Sequence, residues 1–320
     1  MNLIEVVFGA CAIPGLNLNV SKSLGYLGER SLNIEKNAYW RESGFNPVDW
    51  LLVVIFLLAF VGAFLPVWSN LLATWAESDQ YSHGFLILPI SLLLAWQKKE
   101  ILKAIRPLPS RQGLFLAIAA LGIYLIAYLS EILTLASIAM WLFVCGTVLY
   151  WWGTPIVKVL LFQLFFLLFM IPVPSQIFAT LTVPLQLFVS KISVMVAQIA
   201  GVPTLREGNI INIPGHSLQV VQACSGLRSI VSLLMLSAVW GYLRIRSKWL
   251  RTAIFLLGVP IAIIVNIVRV ILLIMAFYFF DYDLSTGSIH TYFGIAIFFL
   301  ALLLLGALTK MVTKWDSRSE

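Results

Sequence analysis

From residue 50 onward, long apolar runs alternate with short polar or charged loops. The runs lie at roughly 50–68, 84–97, 113–130, 132–152, 155–172, 226–243, 252–279 and 291–311. Several reach the ~18–20 residues that a helix needs to cross the hydrocarbon of a bilayer. Backbone in lipid must satisfy its own N–H and C=O groups, so the runs predict helices. A further run, 176–200, is different. Thr182, Gln186, Ser190 and Ser193 follow one another at spacings of four, four and three, a stripe down one side of a helix. Gln176, Thr180, Lys191 and Gln198 widen the stripe to about half the circumference, and Pro184 sits inside the run. This pattern predicts an amphipathic helix lying on, or dipping into, the outer face of the membrane. A ninth span with a polar inner face is the alternative. After it, residues 202–222 (VPTLREGNIINIPGHSLQVVQ) change period. Gly208–Asn209 and Pro214–Gly215 are turn signals, and the stretches between them partly alternate apolar with polar residues. They predict a small β-hairpin or two.

Charge decides orientation. Lys98, Lys99, Lys103, Arg106 and Arg111 follow the second run; Arg244, Arg246, Lys248 and Arg251 follow residue 243; Lys310, Lys314 and Arg318 close the chain. Lys and Arg accumulate in cytoplasmic loops, which places all three groups on the cytoplasmic side. Glu77, Asp79, Glu131, Asp281 and Asp283 then fall outside. The two basic loops share a side only if 176–200 does not cross, which leaves about eight spans. The expected fold is therefore an all-α polytopic membrane protein, with a periplasmic amphipathic helix and a small β-hairpin before residue 224. Residues 1–49 are mixed in charge and weakly periodic, and are expected to form a cytoplasmic tail. Glu5 interrupts the short apolar start, which has no basic region before it and does not resemble a cleaved signal peptide. Residues 50–311 form one integral membrane domain, and 312–320 a cytoplasmic tail with no further soluble domain.

Composition agrees. The chain is 61% hydrophobic and 11% charged, with mean hydropathy +0.96. Soluble domains are nearer half apolar and about a quarter charged. The net charge of +7 follows from basic cytoplasmic loops and does not call for nucleic acid. Three cysteines, Cys11, Cys145 and Cys224, with no CxxC, argue against a disulfide framework or a thiolate zinc site. His83, His216 and His290 could bind zinc only by meeting in space, and their spacing is no known ligand motif. No cofactor is expected.

With that topology, Cys224, Arg269 and His290 converge near the outer face. A Cys at a helix end is commonly a small apolar filler, and a His at a helix start is commonly a cap. An Arg flanked by apolar runs is costly and is a functional candidate by default, with snorkelling as the bland alternative. Together they make a chemical set. A free thiol titrates near pH ~8.5, and a permanent cation lowers that value. The same cation stabilises an oxyanion. His can protonate a leaving amine and then activate a second nucleophile. Ser225 and Gly226 would let a substrate backbone approach, and the helix start they precede adds positive potential.

ACSGLRS around Cys224, NIVRV around Arg269, and His290 followed by Gly294 resemble the Cys, Arg and His motifs of exosortases. YSHGFLILPIS, residues 81–91, is similar to that family's N-terminal motif, and the match extends over most of 50–311. The resemblance implies a transpeptidase-like cysteine protease of the bacterial inner membrane with its site facing the periplasm. It implies Cys224 as nucleophile, Arg269 as thiolate or oxyanion partner and His290 as acid/base. Ser225, Gly226, Arg228, Asn266, Tyr81, His83 and His216 become substrate-binding or accessory candidates. Partners would be the surrounding lipid and exported proteins. Those proteins would carry a C-terminal sorting signal: a short Pro-containing motif of PEP-CTERM type, a membrane helix and a basic tail. Such proteins are often linked to exopolysaccharide. Many members have Glu two residues before the Cys, where this chain has Gln222, which points to a different recognition motif. Rival classes are a transporter or channel, a non-catalytic envelope scaffold, and an intramembrane protease of serine or aspartyl type. The first needs a polar path through several spans, whereas the polar candidates here cluster at outer ends.

Overall fold

The computed structural model describes residues 47–316, except 79, 220–226, 283, 285 and 286. Helix α1 (Pro47–Ala63) meets α2 (Leu65–Glu77) at a 67° bend. Pro66 sits in the first turn of α2, where a missing N–H breaks no helical bond. α3 (Gly84–Trp96), the short α4 (Lys99–Ala104), α5 (Arg111–Leu129) and α6 (Leu133–Phe166) follow, and a 3₁₀ turn closes the first unit at Leu167–Met170. The second unit holds α7 (Ser175–Ile199), three strands, α8 (Leu227–Arg244), α9 (Lys248–Phe280) and α10 (Gly287–Asp316).

Among the described residues, five helices are long and apolar enough to cross a membrane, or six with the bent α1–α2 pair. α3 and Ile230–Arg244 are apolar but shorter. Four of the five, and the bent pair, fall on runs expected to cross; the fifth, Gln176–Ile199, is the run expected to lie on the outer face. One of the five, residues 133–170, doubles back. Gly153 is non-helical (φ 77°, ψ −178°), with Pro155 just beyond. Trp141 donates to the Leu164 carbonyl at 2.6 Å and Thr134 to that of Pro172 at 3.2 Å. In a straight helix, residues 23 apart would be ~35 Å apart. The two arms of α6 are therefore antiparallel, as the separate runs 132–152 and 155–172 predict. A Cβ at Gly153 would strike the Leu108 carbonyl, so the loop before α5 crosses the tip of this hairpin. The first arm packs on α5 through small residues: a Cβ on Gly146 would lie 2.7 Å from the Ala117 nitrogen.

The basic loops meet at one end of the molecule. Lys98 and Arg251 lie 5.2 and 5.4 Å from the centroid of the Tyr242 ring. At the other end, Trp75 donates to the Met170 carbonyl at 3.0 Å, and Tyr81 to that of Val173. α7 begins just after this far end and leads into the sheet, which packs on the far half of α9. By length and composition α7 is itself a candidate span.

α7 turns the centre of its polar stripe to protein, while the flanking Gln176, Thr180, Lys191 and Gln198 are exposed. Thr182, Gln186, Ser190 and Ser193 are all buried, while Leu181, Val183, Phe188 and Ile199 are exposed. Ser190 donates to the Leu187 and Gly208 carbonyls, and Ser193 to that of Ile267 on α9 at 3.4 Å. Apolar surroundings invert the usual rule: polar side chains turn inward, to partners within the protein, and aliphatic ones turn out.

The residues read as a hairpin form a three-stranded antiparallel meander: β1 (Leu205–Glu207), β2 (Ile210–Ile213) and β3 (His216–Gln219). Leu205 faces Asn212, and Ile213 faces His216. Gly208 (φ 65°) and Gly215 (φ 81°) supply the left-handed backbone that two-residue turns require. Ile211, Ile213 and Leu218 bury one face against Val189 and Val194 of α7 and Val270, Leu273 and Ile274 of α9.

Candidate functional site

α8, α9 and α10 pack around a core of Ile230, Leu233, Ala262, Val265, Ala301 and Leu305. Arg269 projects from α9 into this bundle, half-buried. Gly294 of α10 makes room for it: a Cβ there would lie 3.3 Å from Arg269 Nη2 and 3.8 Å from Cζ. The guanidinium thus occupies the place where any other residue at 294 would put its side chain. Asn266, one turn earlier on the same face of α9, is 94% buried. Leu233, Asn266, Arg269 and Gly294 line a cavity of about 10 Å³, the volume of a single water.

Position 290 lies one turn before Gly294 on the same face of α10. The start of α8, which directly follows residues 224–226, is about 9 Å along its axis from Leu233. Three helices therefore converge at one level, about 10–16 Å below the far ends of α9 and α10. Cys224, Ser225, Gly226 and Gln222 lie outside the described residues, as do the side chains of Arg228 and His290.

The other candidates stand apart. His216, at the start of β3, has Nε2 3.1 Å from Asp281 Oδ1, and its ring lies 5.0 Å from that of Phe277. Asp281 ends α9 with left-handed backbone (φ 50°). It is twelve residues, about 18 Å along the axis, from Arg269. His216 thus fastens the sheet to the end of α9. Tyr81 and His83 form another group, with rings 6.3 Å apart, in the turn before α3. Burial lowers the His83 pKa, opposed by bonds to the backbone of Phe169 and Gln80. Burial likewise raises that of Tyr81. Both pack against the connector into α7. Among the described residues, no group of three His, Cys, Asp or Glu side chains could hold a metal.

Sequence reasoning missed the reason for Gly294. The signal was a glycine one turn after a candidate His on an apolar helix, facing the level of the intramembrane Arg. It also missed Leu233, which closes the cavity from α8.

This helical membrane protein thus keeps an Arg between three helices, near the end opposite its basic loops. The chain belongs to the transmembrane exosortase family, whose family model matches residues 75–307. It is a membrane sorting enzyme of exosortase type, acting on proteins that carry sorting signals. No curated protein and no solved structure matches it.

Proposed function

We propose that the chain is a cysteine transpeptidase that removes the C-terminal sorting signal of exported proteins at the periplasmic face of the inner membrane. The observation that carries this reading is the seat of Arg269 against Gly294, one turn from position 290 and level with the start of α8. In this reading the chain crosses the membrane eight times with both tails in the cytoplasm. The gathering of Lys98 and Arg251 around Tyr242, at one end, supports that topology.

The Cys224 thiolate, favoured by the permanent charge of Arg269, attacks the scissile carbonyl carbon. The carbonyl π electrons move to oxygen, and Arg269 stabilises the oxyanion. Collapse breaks the C–N bond and leaves a thioester on Cys224. His290 gives the departing amine its proton. An incoming amine or water then loses a proton to His290, attacks the thioester and releases the thiolate. The signal is a short Pro-containing motif followed by a membrane helix and a basic tail.

The test is Cys224→Ala in cells that express a tagged substrate. Unprocessed precursor should accumulate, with a rate loss of at least about a thousandfold. Normal processing by this variant would sink the proposal. For orientation, a membrane-impermeant thiol reagent added from the periplasm should label Cys224 and leave Cys145 unlabelled.

A further inference from the structure

The cavity beside Arg269 lies on one side of it. α9 runs toward the far end and α10 runs back from it, with Ala262 and Val265 of the one packed in the same core as Ala301 and Leu305 of the other. Ala262, Val265 and Asn266 precede Arg269 on α9, and Ile297, Phe298 and Ala301 follow Gly294 on α10. All six lie on the side of the guanidinium that faces the basic loops. Position 290 and the start of α8 lie on its other side, toward the far end. The cavity is therefore behind the cation, away from the residues assigned to the reaction.

The lining is apolar except at one wall. Among the described residues, Asn266 is the only polar side chain that shares the cavity with Arg269. It is buried, and none of the described residues hydrogen-bonds its amide. An amide taken out of water without a partner is costly, and more so in a low-dielectric bundle. A volume of about 10 Å³ admits one water and nothing larger. Purely apolar cavities stay dry, whereas a cavity with two or more polar partners holds its water. Here the amide offers a carbonyl oxygen and an NH₂ group, and the guanidinium offers N–H donors.

We infer that this cavity binds one ordered water, and that Asn266 acts through it as a positioning residue for Arg269. The guanidinium donates to the water from behind, and the water donates to the Asn266 carbonyl oxygen. That hold turns the remaining N–H groups toward Cys224 and the oxyanion, where a fixed donor counts most. The inference rests on the function proposed above, and deepens it by naming what aims the cation. No bond is made or broken at Asn266.

Asn266→Leu tests it, because Leu has the same number of side-chain heavy atoms and no amide. In the full chain, kcat should fall about tenfold with KM within twofold, the loss that a misplaced catalytic group brings. Alkylation of Cys224 by iodoacetamide at pH 7, read by mass spectrometry, should slow about threefold or more, in the same direction as in Arg269→Ala. Added to Arg269→Ala, Asn266→Leu should cost nothing further in either measure, since no cation is left to aim. Asn266→Ser keeps a hydroxyl and makes room for a second water, so it should recover most of the lost activity. Activity of Asn266→Leu within twofold of wild type would overturn the inference. So would a rise in KM alone, losses that simply add to those of Arg269→Ala, or an Asn266→Ser as impaired as Asn266→Leu. Alkylation needs neither substrate nor turnover, which separates two kinds of failure. If Arg269→Ala changes neither measure, the function proposed above fails and the role of Asn266 falls with it. If Arg269→Ala acts and Asn266→Leu does not, the positioning role fails alone.

Discussion

The first unit, α1 to α6, and the second, α7 to α10, solve the same packing problem with different side chains. The first is built on rings. Phe64, Trp75 and Phe166 are fully or almost fully buried, and Phe60 and Phe143 stack at 5.9 Å with an 8° tilt. The second is built on Val, Ile, Leu and Ala, with serines, Asn266 and Arg269 set among them. Rings fill volume and lock geometry, and where one carries a polar edge, as Trp75 does, a backbone carbonyl meets it. Small aliphatic residues leave room for polar groups that need them. Lipid offers no hydrophobic drive between helices, so shape and bonding must hold them together. The aromatic unit is a scaffold. The aliphatic unit can hold a charge, because Ala262, Gly294 and Ala301 give up the space it takes.

The sharpest way to break this contrast is Arg269→Ala. Activity should fall at least about a hundredfold, the usual loss for an oxyanion donor, while the thermal midpoint in detergent changes little. Activity within threefold of wild type would mean that the charge is only packed there. Gly294→Ala is the next test. Its Cβ would press on the guanidinium at 3.3 Å, so activity should fall about tenfold, the loss that a small misplacement of a catalytic group brings. Gly306→Ala, on the same helix with nothing within 4 Å, should be silent in the same assay.

Smaller effects refine the contrast. Ser193 bonds across helices to Ile267, whereas Ser137 of α6 bonds within its own helix to Leu133. Ser193→Ala should destabilise by about 0.6 kcal/mol and Ser137→Ala by less, read by denaturant titration in micelles. The smallest effect is a pH dependence. The folded His83 has a pKa below its ordinary 6.5, so as pH drops below 6.5 the unfolded chain takes up a proton that the folded one resists. Stability present above that pH is lost until the folded pKa is passed. His83→Gln should flatten this part of the stability curve.

Most of the helices were legible because hydropathy fixes what can lie in lipid, and the α6 reversal because Gly153 and Pro155 interrupt the pattern at its midpoint. The sheet was legible from its two turns. The facing of α7 was not. A polar stripe turned toward water and one turned toward protein have the same periodicity, and only the neighbours distinguish them. The 67° bend at Phe64 was missed as well, although Pro66 was there to be read. At the site, Arg269 was legible from its cost in an apolar run. Gly294 was quoted only as part of a motif, because a glycine's value lies in what fills the space beside it.

The buried stripe of α7 also has a history in time. Ser193 bonds to the carbonyl of a residue made 74 positions later. At roughly 5–20 residues per second, the ribosome takes about 4–15 s to supply that partner. Thr182 and Ser190 find carbonyls within α7 or at Gly208 and need not wait. The packing of α7 is thus complete only when α9 arrives to give Ser193 its partner and to cover Val189 and Val194.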